Sequence, residues 1–578
     1  MKSVILVKSL ISRQQHNGLA SSAAHRAGDR LTRSVVARPS CASAPRYFLP
    51  TRTALAVPSS RTRWLVPIAM VAVLAGTAAW YFRALDSVPV VVAVDEARFA
   101  LHAHSLVTRG TDLAGNRWPL FFHITDPVNP DSESETWWQP ALFYLVAGVF
   151  RFVPPSAWSL RLPTTILAIV NVILIYLVAR KLFSNGWYAV VAAGMLSLTP
   201  AHYIFARRAL DYFCQLPIAL AWLWCLSLYV ESAPAWVPAA IGLLLGLGLF
   251  THISSWIVMP GYVAATCLVF RRLSAPPRTY RWLLIGFAVP LVVIVPALFA
   301  NPSLPAAMFS HYKVQTGWRI AERINIYWGY LGPSYLLFSG GSNPMFATRR
   351  GGVLPVAAAV LLPLGIWSIL RRRSDPRREV LVFGFFFAPL PIVLAMPQDP
   401  KFYTPRDLLV VPFAALLCTI GLERLFERGG RTARLFGVAL LVAVPFQFVG
   451  FERYYLTGYQ TASAARFDTM NLEAVADYVI SSDAASRVPQ VFLSEDAGSP
   501  HVYQWEFYLL ERRREDLWTR TRHFSLPISP GAIPTGSLLV FDARDPRIDQ
   551  ILSMVGCSLV QVVNGVAGEP AAAILRRN

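Results

Sequence analysis

The stretch R-L-P-T-T-I-L-A-I-V-N-V-I-L-I-Y-L-V-A-R-K-L-F, residues 161–183, decides the class of this protein. No charged residue stands between Arg161 and Arg180. Wound as an α-helix, a run of this kind covers about 27 Å, close to the roughly 30 Å of a bilayer's hydrocarbon core. It ends on Arg180-Lys181, a basic pair of the sort that marks a cytoplasmic flank. The same pattern recurs along the chain, with apolar runs near 64–82, 161–179, 188–205, 212–230, 236–251, 253–270, 282–300, 353–370, 380–396, 408–423 and 435–451. By length and hydropathy they predict about eleven transmembrane helices. Of 578 residues 54% are apolar and 15% charged, and the mean hydropathy is +0.44. A soluble domain carries about 25% charged residues, so a water-soluble globule is excluded.

The chain has 53 Lys+Arg against 33 Asp+Glu, a net charge of +20. In a soluble protein that excess would suggest nucleic acid, but here the basic residues sit in short loops between apolar runs. Arg180 and Lys181; Arg271, Arg272, Arg278 and Arg281; Arg371 to Arg373 with Arg377 and Arg378; and Arg424, Arg428, Arg431 and Arg434 alternate with weakly charged links. This is the positive-inside pattern, and it predicts no nucleic-acid partner. It sets the N-terminus inside and the C-terminus outside, with outer loops at 83–160, 301–352 and 397–407. A further apolar run, 139–153, would reverse every later loop if it crossed, so it is expected to lie along the interface as a juxtamembrane helix.

Three regions follow. Residues 1–63 hold eleven basic residues and one acid, Asp29, without periodicity, and read as a disordered tail, either cytosolic or upstream of the true start. Residues 64–451 form the membrane domain. Residues 452–578 mix apolar stretches (491–493, 538–541, 559–563) with helical patterns (472–480, 503–510) and predict a small α/β domain outside the membrane. Cys214, Cys225, Cys267 and Cys418 fall inside apolar runs, and no CxxC or disulfide framework exists.

Asp95-Glu96, shortly after the first span, is the sharpest local feature. Adjacent carboxylates beside a membrane suit a general base; they equally suit a helix start, with Asp95 as N-cap and Glu96 favourable in the first turn. Arg207, Arg208 and Asp211 lie in one short outward turn, and Lys401, Tyr403 and Arg406 at the outer end of a late span. Arg offers phosphate a planar fork and Lys a point charge, which makes these residues candidates for a phosphate clamp; the alternative is interfacial anchoring. Trp137-Trp138 is open to stacking a sugar or anchoring a helix. The loop 301–352, with Gly340-Gly341 and Arg349-Arg350-Gly351-Gly352, is open to being a lid or a connector. No cofactor is expected. A divalent metal stays open because His102, His104 and His252 all face outward, although i,i+2 spacing sets the first two about 200° apart on a helix.

The stretches V-D-E-A-R-F-A-L-H-A-H-S-L (94–106), W-W-Q-P-A-L-F-Y-L-V-A (137–147), the run 161–183 quoted above, F-A-R-R-A-L-D (205–211), P-S-Y-L-L-F-S-G-G (333–341) and K-F-Y-T-P-R-D-L-L-V-V-P (401–412) occur in order. Together they resemble polytopic C-type glycosyltransferases that use lipid-phosphate sugars, among them the protein O-mannosyltransferases and the lipid A aminoarabinose transferase. The resemblance implies an all-α polytopic fold in a bacterial inner membrane, and a polyprenyl-phosphate sugar donor. It further implies a lipid, glycan or protein acceptor at the outer face and a catalytic base at Asp95, with Glu96 beside it; Glu96 and Asp211 are expected to orient groups around that base. The competing class is a secondary transporter or lipid-linked sugar flippase; its ionisable residues would lie near the bilayer midplane, whereas here they collect in outer loops.

Overall fold

The computed structural model describes residues 60–124, 136–308, 319–371, 375–395, 407–494, 501–524, 530–548, 552 and 556–578. The basic tail therefore lies almost wholly outside the described residues. The chain opens with α1 (Ser60–Phe82), α2 (Val94–Arg109), the short hairpin β1 (Phe122–Ile124) and β2 (Thr136–Trp138), then α3 (Ala141–Phe150). The membrane bundle continues with α4 (Ala157–Leu182), α5 (Gly186–Ser197), α6 (Pro200–Ala206), α7 (Gln215–Ser232), α8 (Val237–Gly248), α9 (Ser255–Arg272) and α10 (Pro277–Ala300). After it come α11 (Ser303–Met308), α12 (Ile320–Tyr330), a π-helical turn at Ser334–Ser339, α13 (Ala358–Leu370), α14 (Pro376–Phe387), α15 (Leu390–Ala395), α16 (Val410–Arg428) and α17 (Arg431–Leu456).

The apolar runs appear as helices, but many are shorter than a bilayer crossing. Among the described residues five helices are long and apolar enough to span, or six if the bent pair α5 and α6 counts as one. That pair breaks by 61° at Pro200, whose ring supplies no N–H to the preceding turn. Runs 236–251, 353–370 and 380–396 yield helices of 12, 13 and 12 residues in α8, α13 and α14. The juxtamembrane run gives α3, ten residues long, about half the length that the hydrocarbon core demands.

Close backbone approach ties the bundle together. A Cβ on Gly242 of α8 would stand 2.0 Å from the Leu283 carbonyl of α10, and one on Gly286 2.2 Å from the Ala239 carbonyl. Gly365 of α13 and Gly421 of α16 meet the facing backbones as closely, at 2.0 and 2.1 Å. Small residues permit such contact where apolar burial gives helices no preference for one another over lipid. At one end, Lys181 pairs with Glu231, Arg377 with Glu231 and Asp375, Arg378 with Glu423, and Arg272 with Glu379. The basic loops that the charge pattern groups on one side thus meet there.

Beyond α17 the chain forms α18 (Gly458–Phe467), α19 (Leu472–Ala485), β3 (Val491–Ser494), α20 (His501–Glu511), β4 (Thr521–Phe524), β5 (Leu538–Asp542), β6 (Cys557–Asn564) and β7 (Pro570–Arg577). These five strands make one sheet in the order β4-β3-β5-β7-β6, parallel across β4-β3-β5 and antiparallel beyond. This is the small α/β domain that the sequence predicts, with β4 and β7 added. It shares an apolar core with α2 and α3, through Phe99, Phe143, Val475, Trp505, Phe507 and Val540.

Candidate active site

Residues 83–93 link α1 to α2, and two buried arginines from later helices hold that linker. Arg207, fully buried, donates from Nη1 to the carbonyls of Trp80 (3.3 Å) and Tyr81 (2.8 Å), and from Nη2 to those of Ala84 (2.9 Å) and Val88 (3.0 Å). The first two belong to the last turn of α1, where carbonyls lack helical partners and a cation is favoured. The rings of Tyr203 and Tyr455 flank the guanidinium. Arg161, equally buried, donates to the carbonyls of Leu85 (3.1 Å), Pro89 (3.0 Å) and Val91 (3.3 Å), and from Nε to Glu96 Oε1 (3.2 Å).

Glu96 completes the brace. Its Oε1 also accepts the Ala209 N–H (3.0 Å), and its Oε2 reaches back to the Ala93 N–H (3.1 Å). Burial raises its pKa, but the charges of Arg161 and Arg208 and the two N–H groups outweigh that, so the carboxyl titrates below the ordinary range. Ala93, not Asp95, occupies the N-cap of α2, and Glu96 satisfies the cap's N–H. The expectation of Asp95 as N-cap is corrected accordingly: Asp95 lies one residue into the helix and points outward.

Asp95 is the open member of the pair, its side chain 39% exposed. Its Oδ1 meets Arg98 Nη1 at 3.2 Å, and the Arg98 guanidinium lies over the rings of Trp138 (5.7 Å) and Tyr503 (5.0 Å). The carboxylate therefore sits at the rim of an aromatic and cationic wall. Trp138 is part of this wall, while Trp137 stacks on His123 across the hairpin.

Arg208 differs from its neighbour. It is buried between Phe346 (5.3 Å) and Phe467 (4.9 Å) and donates a single hydrogen bond to backbone, from Nη1 to the Met345 carbonyl (2.6 Å); like Arg207 it keeps a buried Nε without a hydrogen-bond partner. Asp211 is buried at the head of a 3-10 turn, Asp211–Cys214, that runs into α7. Lys401, Tyr403 and Arg406 lie outside the described residues. The next residue, Asp407, is buried and accepts the Tyr335 hydroxyl at 2.7 Å, with Oδ2 unpartnered. The structure thus joins Glu96 to Arg161, and sets both terminal nitrogens of Arg207 on backbone carbonyls.

The histidines diverge. His102 is buried against Phe122 and Phe143 and accepts the Leu113 N–H (3.4 Å). His104 pairs with Glu515 (3.3 Å), and His252 with Ser254 (2.7 Å). Among the described residues no three His, Cys, Asp or Glu come together as a metal site. The stretch 340–352 is packed rather than loose: Arg350 lies over Tyr454 (4.4 Å), and a Cβ on Gly352 would stand 2.3 Å from the Leu337 backbone.

Two residues here escape sequence reasoning. Arg161 stands in a quoted stretch without an assigned role; an arginine at the end of a span opposite the basic pair Arg180-Lys181, against the charge pattern of the loops, is the signal that marks it. Asp407 offers no such signal.

Residues 137–299 match the family model for dolichyl-phosphate-mannose-protein mannosyltransferases. No curated protein sequence matches the chain. Among solved structures, ArnT from Cupriavidus metallidurans bound to undecaprenyl phosphate is 13% identical, covers 89% of this chain and 98% of its own, and superposes with a TM-score of 0.56. Its apo form is 15% identical over the same shares, with a TM-score of 0.54. This chain is therefore a polytopic membrane protein with the C-type glycosyltransferase fold, and over residues 137–299 it carries the sequence pattern of the dolichyl-phosphate-mannose-protein mannosyltransferases.

Proposed function

We propose that the protein transfers a sugar from a polyprenyl-phosphate donor to a lipid, glycan or protein acceptor at the outer face of a bacterial inner membrane, with Asp95 as general base. The single observation that carries this reading is the contrast within the acidic pair. Glu96 is buried and spent on Arg161 and two N–H groups, whereas Asp95, held at the same helix start, keeps a partly exposed carboxylate that meets Arg98 through one oxygen. A base needs that combination of fixed position and access. Asp95 takes the acceptor hydroxyl proton; the acceptor oxygen forms a bond to the anomeric carbon; the bond from that carbon to the phosphate oxygen breaks, and polyprenyl phosphate leaves. Direct displacement inverts the anomeric centre. Arg208, which gives one carbonyl bond where Arg207 gives four, is the better-placed phosphate ligand of the arginine pair, and Arg207 a brace. Lys401, Tyr403 and Arg406 stay assigned to the donor side on the chemistry of their side chains and their place at the entry to a late span, and Asp211 to orienting the reacting groups.

The test is single-turnover transfer from polyprenyl-phosphate sugars by the protein in nanodiscs. Asp95→Asn is expected to slow transfer about 10²–10⁴-fold while donor affinity holds. Full activity in that variant removes Asp95 from the role of base. Donor movement between leaflets without transfer would support the flippase instead.

A further inference from the structure

We infer that the C-terminal domain carries a saccharide-binding crevice at the carboxyl ends of β3 and β5, which docks a glycan acceptor. The argument begins with strand order. β3 has parallel neighbours on both sides, β4 and β5. The chain leaves β3 through α20 to reach β4 on one side, and later places β5 on the other. Connections that depart in opposite directions open a crevice at the carboxyl ends of the strands, the position where open α/β sheets hold ligands.

A cavity of about 380 Å³ lies at that point. Its wall includes Ser494, the last residue of β3, and Asp542, the last of β5, with Met470, Arg544, Asp545 and Arg547. Each arginine grips the neighbouring carboxylate with two nitrogens, Arg544 to Asp542 at 2.9 and 2.7 Å and Arg547 to Asp545 at 2.9 and 2.7 Å. The guanidinium groups stay about half exposed.

These forks define the ligand chemistry. Two fixed cations and two fixed anions leave the wall without net charge, so it selects neither phosphate nor amine. Donors and acceptors side by side match vicinal hydroxyls. The location fits an acceptor. β3 leads towards α20, whose Tyr503 lies beneath Arg98, the partner of Asp95, and whose Gln504 holds the Val92 carbonyl at 2.8 Å. The acceptor assignment rests on the glycosyltransferase reading; saccharide binding does not. A second cavity, lined by Asp483, Arg487, Asp516 and Arg520, sits at the amino ends of β3 and β4 and serves as a control.

The experiment uses the full chain in nanodiscs with mannotriose, chitotriose and cellotriose, read by saturation-transfer NMR for wild type, Arg544→Gln, Arg547→Gln and the control Arg487→Gln. At least one trisaccharide is expected to give a signal that falls about five-fold or more in the first two variants and holds in the third. No signal in wild type, equal signals in all variants, or displacement by inorganic phosphate overturns the crevice. Where transfer is observed, Arg547→Gln should raise the acceptor KM about five-fold with kcat and donor KM unchanged; an unmoved acceptor KM overturns the docking role. Absence of transfer from every donor sinks the glycosyltransferase reading alone, and the NMR result still decides the crevice.

Discussion

Arg207→Lys and Arg208→Lys are expected to fail in different ways, although the two residues are adjacent. Arg207 serves four carbonyls, two from each terminal nitrogen. A lysine brings one ammonium to a single point, so it can keep one pair of acceptors and strands the other. Ala84 still accepts the Val88 N–H, so one or two buried carbonyls are left without a donor at about 1–3 kcal/mol each, which puts the loss at about 1–6 kcal/mol. Arg208 makes one such bond, to Met345, which an ammonium can retain, so the stability loss is about 1 kcal/mol. What Arg208→Lys removes is the planar fork, and donor affinity should fall about ten-fold or more, equivalent to about 1.4 kcal/mol. Thermal unfolding in detergent, followed by intrinsic fluorescence, reads the first effect, and calorimetric titration with polyprenyl phosphate reads the second. If Arg207→Lys melts like wild type and loses the donor, the brace assignment is wrong and Arg207 belongs to the phosphate.

Three further outcomes follow from the same geometry. Burial lowers the His102 pKa to about 3, with Arg98 and His123 adding repulsion; the unfolded chain then binds the extra proton first, so stability falls as pH drops below about 6.5, by up to about 1.4 kcal/mol per unit. His102→Gln should flatten that part of the profile, and an unchanged slope in acid unfolding would exclude His102 as its source. Gly242→Val should separate α8 from α10 and abolish monodisperse elution from a sizing column, since its Cβ would overlap the Leu283 carbonyl; normal elution would disprove the close approach. A cysteine placed at Ile320 should react with an impermeant maleimide in intact cells, and one at Arg371 should not; labelling of both, or neither, reverses the proposed orientation.

Much of this fold can be read from the chain because burial in a bilayer demands long apolar runs, and those runs became helices. Their number was harder to read. Hydropathy does not distinguish α4, a 26-residue helix, from the run 188–205, which Pro200 breaks into two pieces. In the C-terminal domain the apolar strands β3 and β5 are legible, whereas β4, T-R-H-F, is polar and β7 is rich in alanine, a poor strand former that is held by its partners. At the site, residue types announce Asp95-Glu96, but which carboxylate is buried and which stays exposed depends on Arg161 and the Ala209 N–H. Both lie more than sixty residues away. The direction of a side chain at a helix end is a property of its neighbours, and for that reason Arg207 and Arg208 look alike in sequence and differ in space.

The linker between α1 and α2 also has a bearing on biogenesis. Its carbonyls are held by Arg161 and Arg207, which emerge from the ribosome long after the linker itself, and the Val92 N–H and carbonyl are held by Tyr508 and Gln504, near the end of the chain. During synthesis the first helix must therefore wait in the membrane with the linker that follows it unfinished. The acid pair's own partners, Arg98, Arg161 and the Ala209 N–H, are all made by residue 209, whereas Tyr503 beneath Arg98 and the two bonds to Val92 arrive only with the C-terminal domain, so a chain truncated before that domain keeps the partners of both carboxylates and lacks the wall beside them.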